Sequence, residues 1–99
     1  AQRELDTVAI VRSQIVCDSV AACLAEAGDL LIPIQEGRFA KEQIRGGLAD
    51  VVTGRIKGRQ SDDEITLFKS VGLALEDAST ALHVYRQACA AGIGVQAEL

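Results

Sequence analysis

The fold is decided by residues 58–72, which read GRQSDDEITLFKSVG. A polar, glycine-containing lead runs into the β-branched and apolar segment Ile65–Lys69, and Ser70-Val71-Gly72 then precedes a long helical pattern. This order of loop, buried strand, tight turn and helix is typical of a nucleotide-binding α/β sheet. The stretch therefore predicts a parallel strand whose carboxyl end leads into a helix.

Upstream of this stretch, the sequence predicts a second strand between two helices. Residues 3–12 carry Leu5 and Val8 on one side at helical spacing, and residues 15–17 form a compact apolar run suited to a buried strand. Ser19 is a candidate N-cap for a helix over residues 20–27, which Gly28 ends. Helix, strand and helix in this order make half of a doubly wound sheet motif.

The middle of the chain has weaker patterns. Residues 29–34 are apolar but contain Pro33, so we predict a loop or an edge segment there. Residues 39–44 fit either a turn of helix or an extended edge piece, and residues 48–54 fit a short helix behind Gly46-Gly47. Residues 55–63 are predicted to be a polar loop.

The longest predicted element is a helix over residues 71–91, which Gly92 and Gly94 end. Its apolar residues recur at spacings of three and four, which indicates one apolar face. That face consists of Leu75, Ala78, Leu82, Tyr85 and Cys89. Residues 95–99 fit either a terminal strand or a tail.

The bulk composition predicts a single folded domain over residues 1–99. The chain is 48% hydrophobic and 24% charged, which is ordinary for a folded soluble protein. Aromatic residues make up only 3%, so the core must be aliphatic, as suits a parallel sheet between helices. A net charge of −4 argues against nucleic acid or an anionic membrane as the main partner. No apolar run approaches the roughly 20 residues that span a bilayer.

The three cysteines, Cys17, Cys23 and Cys89, lie in apolar stretches and form no Cys-x-x-Cys pair. We expect them to be buried, reduced thiols of a cytoplasmic protein rather than zinc ligands. A nucleophilic cysteine is a weaker alternative, because the single histidine, His83, lies on the long predicted helix with no obvious residue to orient it.

The best candidate for chemistry is the turn Lys69-Ser70-Val71-Gly72. A strand that ends in Ser-x-Gly at the first turn of a helix presents backbone N–H groups and a hydroxyl at the carboxyl edge of the sheet. Ligands of open α/β sheets bind at that edge, and the helix dipole favours an anionic or polar group. The alternative interpretation is that Ser70 only caps the helix and Gly72 only allows close packing.

Two further clusters leave their roles open. Residues 61–64, Ser-Asp-Asp-Glu, fit a metal or acid–base cluster, or a solvated loop bonded to its own backbone. Arg55, Lys57 and Arg59 fit a phosphate site or a set of solvated cations. No Gly-x-Gly-x-x-Gly follows a predicted strand, so the pyrophosphate-binding turn of a complete dinucleotide fold has no match in this chain.

Several segments together resemble the ornithine cyclodeaminase/mu-crystallin family, and the resemblance covers nearly the whole chain. These segments are Arg3–Asp6, Val16–Ser19, Ala25–Pro33, Gly58–Gly72 and Leu75–Asp77. There are two local departures from the family pattern. Gly47 stands where an acidic residue is common, and Ile56-Lys57 stands where Lys-Pro is usual.

The resemblance implies the back part of a Rossmann-type NAD(P) domain, plus the helix that returns to the family's substrate-binding and dimerisation domain. Enzymes of the family use NAD(P) in the deaminating cyclisation of ornithine or in related amino-acid and imine redox reactions. Mu-crystallins bind NADPH and a thyroid hormone or reduce ketimines. By motif position, the resemblance implies that Ser70, with the adjacent Lys69, binds the cofactor and that Val71 lines the substrate side.

The family's catalytic Asp, its substrate-binding Arg and Lys residues and its glycine-rich phosphate turn have no counterpart in these 99 residues. We therefore expect a C-terminal portion of the family's enzyme that is non-catalytic by itself. We expect it to form a homodimer or larger assembly through the long helix, or to pair with a full-length relative. The alternative is a part of an NAD(P)-dependent ornithine cyclodeaminase or amino-acid/imine dehydrogenase whose missing half another chain supplies.

Overall fold

The computed structural model describes residues 2–98. They form a three-stranded parallel sheet with flanking helices, which confirms the predicted Rossmann-like α/β class. The strands are β1 (Gln14–Cys17), β2 (Ile44–Gly47) and β3 (Thr66–Lys69). The helices are α1 (Thr7–Arg12), α2 (Val20–Glu26), α3 (Gly28–Gln35), α4 (Leu48–Val52) and α5 (Ala74–Ala91), with a 3-10 turn at Lys41–Gln43.

The strand order is β2-β1-β3, and both pairings are parallel. The chain therefore places β2 on one side of β1 and then crosses over to place β3 on the other side. The last residues of β1 and β3, Cys17 and Lys69, are register partners. In open α/β sheets a ligand site lies outside the carboxyl ends of the strands where the strand order reverses. The topology thus predicts that a ligand site would lie at the ends of β1 and β3.

The core lies on one face of the sheet. Ile15 and Cys17 of β1 share that face, because side chains alternate along a strand. The buried cluster consists of Ile10, Ile15, Cys17, Cys23, Ala27, Leu30, Phe39 and Ile44. On the other face, Val16 and Phe68 lie beside Leu48 and Val51 of α4. That second face is more open, since Phe68 is exposed.

Two of the three cysteines are buried as expected. Burial raises the pKa of the Cys17 thiol and, together with its neighbours Cys17 and Asp18, raises the pKa of Cys23 to about 12. Both therefore stay protonated near neutral pH, and neither is an activated nucleophile. Cys89 is exposed on α5, so the expectation that it is buried was wrong.

The helices around β1 begin at side-chain caps. Ser19 Oγ accepts a hydrogen bond from the N–H of Ala22 at 3.3 Å, which confirms its predicted role as the N-cap of α2. Asp6 caps α1 in the same way, accepting from the N–H of Ala9 at 2.8 Å. Because of this cap, α1 begins at Thr7 rather than at residue 3, and it buries Ile10 rather than Val8.

The prediction of a loop or edge segment at residues 29–34 was wrong, because α3 covers it. Pro33 lies near the end of an eight-residue helix and deprives it of one backbone N–H. Leu30 and Pro33 are both fully buried, so the apolar surface they remove from water outweighs that lost bond. Only Ala27 separates α2 from α3.

Strand β2 was not predicted as a strand, although residues 39–44 were left open. Phe39 is buried, the 3-10 turn follows, and Ile44 begins the strand. Its two glycines lower the sequence signal for a strand. A Cβ at Gly46 would lie 2.9 Å from Cδ1 of Ile56, so this position has no room for a side chain. Close approach explains the glycine there.

Helix α5 begins at Ala74, three residues later than predicted, and none of its 18 residues is buried. Leu75 and Tyr85 on its apolar face are 75% and 61% exposed. The radius of gyration is 17.4 Å, against about 13 Å for a compact domain of this length. Residues 95–98 form no strand, and Leu99 lies outside the described residues. No helix within residues 2–98 is long and apolar enough to cross a membrane.

Candidate functional site

A polar cavity of about 340 Å³ lies at the carboxyl edge of the sheet. It brings together all three residues that the sequence nominated, Lys69, Ser70 and Val71, as parts of its wall. The rest of the wall comes from Gln2 and from the α2–α3 junction, Glu26, Ala27 and Gly28. Three segments that are distant in the sequence therefore converge on one cavity. Which of them contact a ligand stays a prediction.

The turn after β3 is held by Asp18, the residue that follows β1. Its Oδ2 accepts hydrogen bonds from Ser70 Oγ at 2.8 Å, the N–H of Val71 at 3.0 Å and the N–H of Gly72 at 2.9 Å. Its Oδ1 accepts from the N–H of Ser19 at 2.7 Å. One carboxylate thus ties the ends of β1 and β3 together across more than 50 residues of sequence.

Asp18 is ionised in this setting. Asp18 is only 7% exposed, and burial by itself would raise its pKa. The hydrogen bonds from Ser70, Ser19, Gly72 and Val71 outweigh burial and lower the pKa of Asp18 to about 2. Donors that converge on a carboxylate favour its charged form. The site therefore contains a fixed negative charge beneath the turn.

Neither interpretation of the turn from sequence describes it fully. Ser70 does not cap α5, because the N-cap position is Leu73 and makes no side-chain hydrogen bond. Gly72 does not serve close packing, because a Cβ there would meet nothing within 4 Å; its φ of +96° is the reason for glycine. The N–H groups of Val71 and Gly72, expected to face a ligand, point at Asp18 instead.

Lys69 is committed to a second carboxylate. Its Nζ lies 2.7 Å from Oδ2 of Asp29, which is only 2% exposed. The other oxygen of Asp29 accepts from the N–H groups of Glu4 at 2.7 Å and Leu5 at 2.8 Å. Burial would raise the pKa of Asp29, but the bonds from Lys69, Leu5 and Glu4 lower it, while the bond to Asp29 raises the pKa of Lys69. This pair fixes the segment before α1 beside the cavity.

Members of the other two candidate clusters bond to other groups of the protein. Glu64 lies 2.9 Å from Arg45 and accepts from the N–H of Gln60 at 2.7 Å. Arg59 donates to Thr66 Oγ1 at 3.1 Å and to the carbonyl of Asp62 at 2.9 Å. No group of three potential metal ligands occurs within residues 2–98. The bond from Gln60 to Glu64 favours the interpretation of residues 61–64 as a loop bonded to its own backbone.

Sequence reasoning did not assign functional roles to Asp18 and Asp29. A partial signal existed, because each follows an apolar or glycine residue at the end or start of a predicted element. Apart from Ser19 and Cys23 near Asp18, their partners lie 24 to 54 residues away along the chain. Only the assembled sheet brings those donors to them.

The crossover at β1, the cavity at the carboxyl edge and the strand-to-helix turn at its wall are features shared with α/β sheets that bind dinucleotides. Residues 1–92 match the ornithine cyclodeaminase/mu-crystallin family. The chain belongs to that family, as its motifs predicted.

Relatives of known activity include reductases and dehydrogenases. The chain is 41% identical over 99 residues to a Delta(1)-pyrroline-2-carboxylate reductase of Bacillus cereus, covering 99% of this chain and 30% of that protein. It is 38% identical over 92 residues to N-((2S)-2-amino-2-carboxyethyl)-L-glutamate dehydrogenase of Staphylococcus aureus, covering 93% of this chain and 27% of that protein. The chain thus spans about 30% of the length of these relatives.

Two solved structures of reductases are similar to this chain. The Delta(1)-pyrroline-2-carboxylate reductase of Thermococcus litoralis, in complex with NADH and L-proline, superimposes with a TM-score of 0.80 at 46% identity. The match covers 96% of this chain and 29% of that one. The iminosuccinate reductase of Paracoccus denitrificans, in complex with NAD+, gives a TM-score of 0.72 at 32% identity, covering 99% of this chain and 30% of that one.

Proposed function

We propose that this chain forms the part of an NAD(P)-dependent oxidoreductase that holds the nicotinamide end of the cofactor. The observation that carries the proposal is the cavity walled by Ser70 and Val71, with the turn fixed by Asp18 at the point where the strand order reverses. It is supported by 46% identity to a reductase whose structure contains NADH.

The residues present fit the nicotinamide end better than the phosphates. Ser70 is exposed and offers a hydroxyl to a carboxamide, and Val71 offers an apolar wall beside it. Lys69 is the weaker cofactor ligand, because its ammonium group lies against Asp29. Gly92 and Gly94 are followed by Ala97 at the spacing of a phosphate-binding turn, but they follow a helix rather than a strand. We therefore assign no phosphate-binding turn to residues 2–98.

For the substrate class, we propose an imine that carries a carboxylate. Pyrroline-2-carboxylate and iminosuccinate, which occur in the names of two relatives, both contain a C=N bond and a carboxylate group. A bound reduced nicotinamide would supply hydride to the imine carbon, and the nitrogen would take a proton. In this scheme Val71 excludes water from one side of the reacting ring, and Ser70 fixes the orientation of the ring.

The cofactor proposal is tested by calorimetric titration of the full chain with NADH and with NADPH. We expect saturable binding at micromolar to low-millimolar concentration. Ser70→Ala should weaken it roughly fivefold, the value of one hydrogen bond. Ser61→Ala, in the exposed loop before β3, is the matched control and should bind as the wild type does. An absence of heat over the whole range with either nucleotide would overturn the proposal.

The substrate class is tested in a chimera. The matching stretch of the Bacillus cereus reductase is replaced by this chain, and oxidation of NADH is followed with Delta(1)-pyrroline-2-carboxylate. Turnover that falls at least tenfold with Ser70→Ala supports the proposed class. A folded chimera that binds NADH and reduces no carboxylated imine would contradict the class while leaving the cofactor proposal intact.

A second proposal is self-association without catalysis, as a homodimer or larger assembly. Helix α5 buries none of its residues, and Leu75, Leu82 and Tyr85 on its apolar face are exposed. Exposed apolar surface of this kind marks an interaction site. Light scattering should give a mass above 10.5 kDa that falls with Leu82→Glu and stays unchanged with Gln87→Glu, which lies away from the apolar face of the same helix. A monomer at all concentrations would exclude this proposal.

A further inference from the structure

The polar groups of the turn after β3 all point to one acceptor. Ser70 Oγ, the N–H of Val71 and the N–H of Gly72 each lie within 3.0 Å of Oδ2 of Asp18. Residues 70–72 have four hydrogen-bond donors, since a serine carries one hydroxyl proton and each residue one backbone N–H, and only the N–H of Ser70 is not among these three. A ligand that reaches this part of the wall meets a turn in which these three donors are already hydrogen-bonded to Asp18.

The hydroxyl of Ser70 has a defined polarity as a result. It has a single proton, which it donates to the ionised Asp18, so its oxygen can meet a ligand only as an acceptor. The N–H of Gly72 also approaches this oxygen, at 3.2 Å, but lies closer to Asp18 at 2.9 Å. Ser70 remains exposed at the cavity wall, so a lone pair of its oxygen is open to the cavity.

We infer that Asp18 is a positioning residue that makes the turn a hydrogen-bond acceptor, so that Ser70 recognises the amino group of a carboxamide rather than its carbonyl oxygen or an anion. The inference rests on the proposed function, because it concerns how the nicotinamide end is bound. It opposes the expectation from sequence that free N–H groups at a helix start would favour an anionic group. Asp18 itself contacts no ligand in this scheme and acts through Ser70.

Two cofactor analogues separate acceptor from donor recognition. The 3-acetylpyridine analogue of NADH replaces the amino group by a methyl group and keeps the carbonyl oxygen. The thionicotinamide analogue keeps the amino group and weakens the carbonyl as an acceptor. An acceptor turn should bind the acetylpyridine analogue roughly fivefold more weakly than NADH, the value of one hydrogen bond, and the thio analogue about as well as NADH.

Asp18→Asn tests the role of the carboxylate. An amide group brings two donors of its own into a position where three donors converge, so Ser70 is released to donate to a ligand. The ratio of the two dissociation constants, acetylpyridine analogue over NADH, should then fall from about 5 towards 1. A residue with a purely structural role would weaken both ligands alike and leave the ratio unchanged.

Two further variants keep the test decisive. Ser19→Ala removes the cap of α2 beside Asp18 and should lower stability while leaving the ratio at the wild-type value. Ser70→Ala removes the acceptor itself and keeps both N–H bonds to Asp18, so it should bring the ratio to about 1 even if Asp18→Asn does not fold. Equal binding of NADH and the acetylpyridine analogue by the wild type would overturn the inference and leave the proposed function standing. Failure of the wild type to bind NADH at all would overturn the proposed function and this inference with it.

Discussion

In the sheet and its packed helices, Ile10, Ile15 and Leu30 are fully buried, whereas helix α5 buries none of its 18 residues. The same contrast holds for charges. Asp29 is 2% exposed and bonded to three groups, whereas Glu76 and Asp77 in the first turn of α5 make no ion pair among the described residues. Residues 2–73, the body of the molecule, are held by contacts distant in sequence. Helix α5 is held mainly by the hydrogen bonds of its own backbone.

An amphipathic pattern therefore does not by itself say what covers the apolar face. The patterns of β1 and α3 find partners within the chain, and the pattern of α5 does not. An isolated helix is marginally stable in water, so α5 gains little from propensity alone. Its stability in solution is therefore the most direct measure of whether a partner covers it.

The largest expected loss of stability comes from removing Asp29 from the buried ion pair of the body. Asp29→Ala leaves the Lys69 ammonium and the N–H groups of Glu4 and Leu5 without their partner. Removing one member of a buried pair costs about 3–5 kcal/mol of the free energy of unfolding. Urea unfolding of the wild type and the variant measures this loss. The matched control is Arg55→Ala, whose pair with Asp50 is exposed and long at 3.9 Å, and it should cost under about 0.5 kcal/mol. Equal effects would contradict the contrast between buried and surface pairs.

The next effect compares the same substitution in the two regions. Leu30→Ala empties a fully buried site and should cost about 3 kcal/mol, within the usual range for a buried leucine. Leu75→Ala changes a side chain that is 75% exposed and should cost under about 0.5 kcal/mol. Urea unfolding of both variants at low protein concentration provides the comparison. A large loss for Leu75→Ala would mean that α5 is packed in solution.

Acid should weaken the body through its two buried carboxylates. The pKa values of Asp18 and Asp29 are lowered by their hydrogen bonds, so each contributes stability that is complete above its ordinary pKa and lost as the pH falls towards its folded value. For Asp18 that interval runs from about 4 down to about 2. Asp18→Asn has no charge to lose there, so its unfolding free energy should fall less than that of the wild type over this interval. An identical fall would rule out an ionised Asp18.

The smallest expected effect on stability comes from replacing one glycine in each region by alanine. Gly72 and Gly92 both have positive φ, and a Cβ at either would meet nothing within 4 Å. Alanine at such a position costs about 1 kcal/mol in backbone strain. Gly72→Ala should show this cost in global unfolding, because the turn is bonded to Asp18. Gly92→Ala, at the C-cap of α5, should instead increase hydrogen exchange at the end of that helix and leave global unfolding almost unchanged.

Local signals account for the parts of the fold that were predicted correctly. The β-branched runs gave β1 and β3, the Ser19 cap gave the start of α2, and the spacing of apolar residues gave α5 almost to its length. Each signal depends on interactions within one turn or a few neighbouring residues. The family motifs are likewise strings of neighbouring residues, and they named the lineage and the turn at Ser70.

The misses come from interactions between distant residues. Burial of Leu30 and Pro33 stabilises a helix, which packs against α1 and α2, where a proline argued for a loop. Pairing with β1 makes a strand of Ile44–Gly47, whose glycines argue against one. The exposed Cys89 shows the reverse case, because its apolar neighbourhood in sequence has no counterpart in space.

The class of fold, the family and the turn proposed as the ligand site all follow from the sequence, because caps, strand runs and motifs are read from adjacent residues. The tertiary structure alone decided what that turn can offer. Asp18 takes the donors of Ser70, Val71 and Gly72, and Asp29 takes the charge of Lys69, because the parallel pairing of β1 and β3 brings together groups that lie 40 to 54 residues apart. The polarity of a hydrogen-bonding group depends on its partners, and those partners are set by the fold.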